Sequence, residues 1–439
     1  MNVALVVLDT LRYDTFEAEF DWLGGRRFSA AYAPSHWTIP VHASLYTGRY
    51  ASEVGVHGKS RTFDWEGTTL AEALADAGYS TRLFSANGQI YRWDGWTRGF
   101  TEALGPASVP PLGQEHGLDW DRLLHRTAGG YRRYLRALWE CLAGEYDTVG
   151  SLRRGYYLRQ KPLWTATADE VRDRIQATSF GDDEFLVVNL MDAHAPYYPP
   201  AAYRTVDDPV RVLDTDVFSG AVGDPERIER AYHDAVRYLS DTYRTIHADL
   251  VEAFDYVITL SDHGELLGEH GLWNHGYGLF PELTHVPLVV DGEDVPEEVV
   301  DRPVSLLDVH RTVAGLTGVD VESRGQHLLD GIEPIDRLTE YHGLLPWHRE
   351  RFRENGMSGA EYDRLNEPLA GFVAPTGYYG YETHDDGFRS VEAAPEGIDD
   401  PEAHLAEAVA EVPLRSIEGE DDTDVPPGVR ERLEDLGYA

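Results

Sequence analysis

Three apolar runs constrain this chain more than any other feature. Val3-Ala4-Leu5-Val6-Val7-Leu8 is closed by Asp9, and Tyr256-Val257-Ile258-Thr259-Leu260-Ser261 is closed by Asp262 and His263. The third, Phe185-Leu186-Val187-Val188-Asn189-Leu190, runs into Met191 and Asp192. A strand that is apolar throughout is one buried on both faces, as in a parallel sheet covered by helices. In an open α/β sheet, ligands bind outside the carboxyl ends of the strands. If the first two runs are parallel neighbours, two carboxylates and an imidazole converge at one edge. That set suits a divalent cation, with the Thr38 hydroxyl completing it as a metal-activated nucleophile. A strand-end Asp also commonly caps the helix that follows, and for one such residue capping is the commoner role. Three strand-end signals, one with a histidine beside it, favour a site.

Strand-like runs alternate with helical patterns through the first 315 residues. Strands are expected near residues 3–8, 81–85, 185–190, 256–260 and 286–290. Helices are expected near 40–47, 67–77, 165–178, 226–253 and 306–317. The fold class implied is α/β, a mostly parallel central sheet flanked by helices. Residues 1–320 form the expected catalytic domain. From about residue 321 the pattern changes to short strands and turns, as in Gly371 to Tyr381, followed by a strongly acidic tail with a helix-like end at Val429 to Leu436. Residues 321–439 are therefore expected to form a small acidic α+β subdomain.

The chain has 439 residues and a formal charge of −39. Lys59 and Lys161 are its two lysines, so arginine carries almost all positive charge. An acidic, lysine-poor surface points to a halophilic protein whose self-repulsion is screened by salt. It argues against a nucleic-acid binder, which needs a basic footprint. The single cysteine, Cys141, rules out an intramolecular disulfide framework and a cysteine-rich metal site. No apolar run reaches the length of a membrane span, and the first strand starts too early for a signal peptide. A cytoplasmic location is the expectation, and homo-oligomerisation is left open. Residues 122–161 invert the charge balance, with nine basic and three acidic residues. Arg132, Arg133 and Arg136 interleave there with Tyr131, Tyr134, Leu135 and Leu138, as in an amphipathic helix or a lid that meets an anionic substrate.

Thr38 precedes Pro40 and a helical pattern, which places its hydroxyl at the positive end of a helix. An anionic group is stabilised there, although an N-cap threonine has the same signature. His194 follows the 185–190 run, on a loop stiffened by Pro196, Pro199 and Pro200. His275 lies in the glycine-rich segment after Asp262-His263. Either histidine is a candidate to hold an oxyanion or protonate a leaving group. His270 and His285 rank lower. Lys59, just past the Thr38 helix, is a further candidate anion contact.

The order of these motifs resembles the sulfatase branch of the alkaline phosphatase superfamily. The resemblance rests on Leu8-Asp9-Thr10-Leu11-Arg12, the Thr38 to Gly48 segment with Arg49-Tyr50, and Asp192-Ala193-His194-Ala195-Pro196-Tyr197. It continues through Tyr232 to Leu239, Ser261-Asp262-His263-Gly264, His285-Val286-Pro287-Leu288, Asp399 to Glu402 and Leu436-Gly437-Tyr438. It implies an alkaline phosphatase-like fold. It also implies metal ligands at Asp9, Thr38, Asp262 and His263, with His42, Lys59, His194 and Asp192 near the substrate.

The departures matter as much as the matches. Thr38 stands where sulfatases place the Cys or Ser that matures to formylglycine, Val41-His42 replaces a Ser-Arg pair, and Thr10 replaces a second metal-binding Asp. Formylglycine releases sulfate by hemiacetal collapse, and a threonine ester has no such exit. Water can instead attack a phosphothreonine at phosphorus. The resemblance therefore implies phosphoester cleavage through a Thr38 phospho-enzyme. The alternatives are sulfuric ester hydrolysis, a phosphoglycerol- or phosphoethanolamine-type transferase, and a catalytically silent anion binder. One divalent cation (Mn, Ca, Mg or Zn) is expected, and a second held by Asp192, His194 and His275 is the lesser alternative. The expected partner is a small anionic ester.

Overall fold

The computed structural model describes residues 1–91, 93–105, 168–213, 216–217, 222–345, 348–354 and 356–416. The basic stretch 122–161, Cys141 and the expected terminal helix lie outside the described residues. A central eight-stranded sheet runs in the order Glu298–Val300, Arg26–Phe28, Leu288–Gly292, Tyr256–Leu260, Val3–Leu8, Glu184–Leu190, Ser80–Ser85, Glu102–Leu104. All neighbours pair in parallel except Leu288–Gly292, which is antiparallel to both strands beside it. The sheet is thus mostly parallel, as expected, and the last expected strand begins two residues later than its apolar run suggested.

The uniform apolar character of the central strands follows from helices on both faces. Val3, Leu5 and Val7 pack with Val187, Ile258 and the Thr38–Thr47 and Leu307–Thr317 helices. Ala4, Val6 and Leu8 pack with Leu186, Val188 and the Ala168–Ala177 and Pro225–Ala253 helices. Alternate side chains along one strand therefore serve opposite layers. Burying a single Val or Leu contributes roughly 1.5–3 kcal/mol, so a polar residue inside these strands needs a separate reason to be there. Asn189 is such a residue.

Two helices position the site. Pro225–Ala253 starts at an Asp224 N-cap whose side chain accepts from the Glu226 amide, with Pro225 in the first turn. Its buried stripe includes Ile228, Ala231, Tyr232, Ala235, Leu239, Tyr243, Ile246 and Leu250, at helical spacing. Thr38–Thr47 is buried along its whole length. It stops at Gly48, which has φ 66°, and a Cβ there would collide with Ser323 and His310.

After residue 320 the chain builds a four-stranded antiparallel sheet, Arg337–Tyr341, Leu369–Val373, Tyr379–Thr383 and Gly387–Ser390. The helix Pro401–Ala410 packs against it. This sheet reaches the segment that leads into Thr38. The Glu340 amide donates to the Pro34 carbonyl at 2.9 Å, and Ser35 Oγ donates to the Glu340 carbonyl at 2.7 Å. Among the described residues, no helix is long and apolar enough to cross a membrane.

Candidate active site

Strand register brings the acidic residues together. Leu8 is paired with Leu190, and Val7 with Leu260, so the three central strands end at one level. The Asp9 amide continues the ladder to the Leu190 carbonyl at 2.9 Å. The chain then turns at Thr10, whose φ of 60° is rare for a β-branched residue and marks local backbone strain. Tyr232 holds that turn, since its hydroxyl donates to the Thr10 carbonyl and accepts from the Arg12 amide, both at 2.9 Å. Thr10 Oγ1 donates to the Asp9 carbonyl. On the other strand, Gly264 follows His263 where the Glu282 main chain leaves no room for a Cβ.

Each carboxylate is held by one oxygen. Asp9 Oδ2 accepts from Asn87 Nδ2 at 3.1 Å, Asn189 Nδ2 at 3.3 Å and Thr38 Oγ1 at 3.4 Å. Asp262 Oδ1 accepts from the amides of His263 at 3.1 Å and Thr10 at 3.4 Å. Asp9 Oδ1 and Asp262 Oδ2 are fully buried and, among the described residues, have no hydrogen-bond partner. His263 Nδ1 meets the Gly264 carbonyl at 2.9 Å, which makes it the protonated nitrogen. Its Nε2 then lies 3.6 Å from Asp262 Oδ2 and 3.8 Å from Asp9 Oδ1.

A cation answers this arrangement. One ligand atom from each of Asp9, Asp262 and His263 falls within 4.8 Å of the others. Two like charges at that separation repel by roughly 3.5 kcal/mol at an effective dielectric of about 20. Burial, and next the charge of Asp262, push the Asp9 carboxyl up. Burial pushes Asp262 up to about 7, against the two backbone amides. The same burial lowers His263 to about 4, keeping its imidazole neutral and able to ligate. The two orphaned oxygens and Nε2 form a donor set that fits a divalent metal.

Thr38 is the first residue of its helix and Trp37 is the N-cap, so the threonine lies one position further in than its sequence context suggested. Its Oγ1 is 3.3 Å from His263 Nε2, in addition to the Asp9 contact. The hydroxyl therefore shares both neighbours with the candidate cation position, at the positive end of the helix dipole. His42, one turn on, points Nδ1 at the Thr38 carbonyl, 3.0 Å away, and at Asp262 Oδ2, 3.7 Å away. Burial lowers it to about 4.

The remaining candidates divide. His275 and His194 join the cluster: the His275 ring centroid is 4.5 Å from that of His263 and 5.1 Å from that of His194. His194 Nδ1 contacts the Ala195 carbonyl at 2.6 Å. Asp192 Oδ2 accepts from the Ala168 amide at 2.9 Å and so holds the start of the Ala168–Ala177 helix. Lys59 Nζ donates to the Leu344 carbonyl at 2.7 Å and to the Asn366 side chain, tying it to the chain beyond residue 340. The glycine-rich segment after His263 contains a small hairpin, Leu266–Leu267 with Trp273–Asn274, which delivers His275. His285 instead stacks on Tyr13 and bonds the Ser29 carbonyl.

Several residues at the site carried little sequence signal. Asn87 and Asn189 orient Asp9. Asn189 was visible as the one amide in an apolar run, whereas Asn87 lies in an unremarkable turn. Glu265 is fully buried, two residues past His263, and contacts His275 Nδ1 at 3.1 Å. His36 Nδ1 meets the His275 carbonyl at 2.8 Å and is lowered by burial to about 3.

The sequence model of the sulfatase family matches residues 2–319. The chain is 24% identical over 407 residues to the uncharacterized sulfatase YidJ of Escherichia coli (strain K12), covering 82% of this chain and 77% of that one. It is 26% identical over 361 residues to a choline-sulfatase of Rhizobium meliloti (strain 1021), covering 72% and 67%. In structure it is similar to the phosphonate monoester hydrolase of Silicibacter pomeroyi, with TM-score 0.62, 17% identity, and coverage of 93% of this chain and 94% of that one.

Proposed function

This chain belongs to the sulfatase family, and from that premise we propose that it is a metal-dependent ester hydrolase that cleaves a phosphoester through Thr38. The observation that carries the reading is the Thr38 hydroxyl, 3.4 Å from Asp9 Oδ2 and 3.3 Å from His263 Nε2, on the residue that the motif resemblance matches to the family's nucleophile. Asp9, Asp262 and His263 would hold the cation, with Thr38 beside it. When bound, a divalent ion supplies charge stabilisation for the phosphoryl oxygens and favours the deprotonated hydroxyl. Thr38 Oγ1 bonds to phosphorus as the phosphorus–oxygen bond to the alcohol breaks. The departing oxygen takes the electron pair and accepts a proton from His275 or His194. Water then attacks phosphorus, the phosphorus–oxygen bond to Thr38 breaks, and the water's proton returns to the histidine that gave one up. His42, kept neutral by burial, and His194 would flank the anion, and a bound cation would add positive charge beside them.

A second reading is sulfuric ester hydrolysis, favoured by the similarity to a choline-sulfatase. Thr38 weighs against it, because a threonine sulfate cannot collapse as a formylglycine hemiacetal does. Acid-quenching the enzyme during turnover of an aryl phosphodiester, then mapping its peptides, tests the proposal. A phosphoryl adduct on the peptide that carries Thr38 is expected; an adduct on another residue, or none under burst conditions, refutes it.

A further inference from the structure

We propose that Glu340, in the sheet beyond residue 320, is a positioning residue that sets where the Thr38 hydroxyl stands beside Asp9 and His263. The inference rests on the phosphoryl-transfer reading above. Glu340 grips the chain on both sides of the Thr38–Thr47 helix. Upstream, its main chain bridges in parallel to Ser35. Its amide donates to the Pro34 carbonyl at 2.9 Å, and Ser35 Oγ donates to its carbonyl at 2.7 Å. Downstream, its carboxylate accepts from the Ser52 amide at 3.1 Å and from the Ser52 hydroxyl. Its neighbour Tyr341 packs on His36, with ring centroids 4.7 Å apart. His342 Nε2 lies 3.2 Å from Glu340 Oε2, and the His342 ring stacks on His57.

Ser52 is the second residue of the short helix Ala51–Val54. Its amide is one of the helix-start donors that the helix itself cannot satisfy, and Glu340 supplies the acceptor. The Glu340 side chain is 13% exposed and Ser52 is 3% exposed, so water has little access to take over these bonds. Val54 of the short helix shares a core with Val41 and Leu45 of the Thr38–Thr47 helix. The Thr38 helix is therefore tied at Ser35, ahead of it, and at Ser52, beyond it, in both cases to Glu340. Asp9, Asp262 and His263 stand on strands of the central sheet, and these bonds to Glu340 do not involve them. Losing the Ser52 bonds thus loosens the nucleophile and spares the cation site. A displacement of about 1 Å from the reacting geometry costs roughly a hundredfold in rate. Gln can stand in for Glu here, since its amide oxygen accepts from the Ser52 amide and its amide nitrogen donates to the Ser52 hydroxyl. Ala replaces neither bond.

The test uses the full chain, Mn²⁺ and methyl 4-nitrophenyl phosphate. Glu340→Ala is expected to lose roughly a hundredfold in kcat, with KM little changed and with calorimetric Mn²⁺ affinity and stoichiometry near those of the parent. Glu340→Gln is expected to recover most of that loss. Adding Ser52→Ala to Glu340→Ala should cause little further loss, because the two act through the same bonds. Four results would each overturn the inference: a parent-like kcat in Glu340→Ala, a kcat that falls together with metal stoichiometry, a Gln variant as slow as the Ala one, or a full additional loss in the double variant. If Glu340→Ala does not fold, Ser52→Ala carries the test. A smaller fall in kcat with metal binding intact supports the proposal, and an unchanged kcat, or one that falls with metal stoichiometry, overturns it. Activity surviving in Thr38→Ala would defeat the phosphoryl-transfer reading itself, whereas an inactive Thr38→Ala beside a parent-like Glu340→Ala defeats this inference alone.

Discussion

Thr38 Oγ1 and His263 Nε2 lie 3.3 Å apart, although 225 residues separate them in the chain. The contact joins the start of one helix to the end of one strand, and it places the proposed nucleophile beside a proposed metal ligand. Thr38→Ala removes the hydroxyl and leaves Asp9, Asp262 and His263 in place. Turnover should fall on the order of a thousandfold or more, as for other nucleophile deletions. Calorimetric Mn²⁺ affinity should stay near that of the parent. An active variant, or one that no longer binds metal, contradicts these separate roles.

Metal removal should have a pH-dependent effect on stability. Asp262 is raised from 3.8 to about 7 in the folded chain. Between those values the metal-free folded state holds a proton that the unfolded state releases, so its stability from this group falls as pH rises. A cation needs the carboxylates deprotonated. The gain in thermal midpoint on adding Mn²⁺ to chelator-treated protein should therefore grow from about pH 4 to about pH 7. A gain that is constant or shrinks across that range contradicts the assigned ligands.

Asn189 tests the support beneath Asp9. Its Nδ2 donates to Asp9 Oδ2 at 3.3 Å from inside an otherwise apolar strand. Asn189→Leu keeps the volume and removes the donor. Metal affinity should drop roughly 10–100-fold, the usual effect of losing a group that orients a ligand. An unchanged affinity would mean that Asn87 alone fixes Asp9.

The charge of −39 leads to a separate expectation. Added NaCl should raise the thermal midpoint into the molar range, because at 1 M the reach of surface repulsion shrinks to about 3 Å. A midpoint that is flat or falls with salt would remove the argument for a halophilic protein.

The five longer strands of the central sheet and the main helices between them were legible because both faces of the sheet are covered, whereas the short strands Arg26–Phe28, Glu102–Leu104 and Glu298–Val300 and the Tyr13–Glu19 helix were not. That condition writes uninterrupted apolar runs such as Val3–Leu8 and helical spacing such as Ile228 to Leu250. Asp9, Asp262 and His263 were legible because strand ends are fixed by those runs. The reversal of Leu288–Gly292 was not, since an apolar run has no direction. Glu265 and His36 were hidden for a related reason: their partner, His275, is brought to them by a short hairpin whose register the glycine-rich sequence does not disclose. Asp192 and Lys59 carried the right chemistry at suitable loop positions, and the structure gives them bonds to the Ala168 amide and to Leu344 and Asn366.

The most direct test of the account is kcat/KM for a matched aryl phosphodiester and aryl sulfate, measured with the same metal, salt and leaving group. With Thr38 as the proposed nucleophile, the phosphodiester should be the better substrate by a wide margin. A sulfate ester that is cleaved faster would contradict the account, because turnover would then require an exit that a threonine ester does not have.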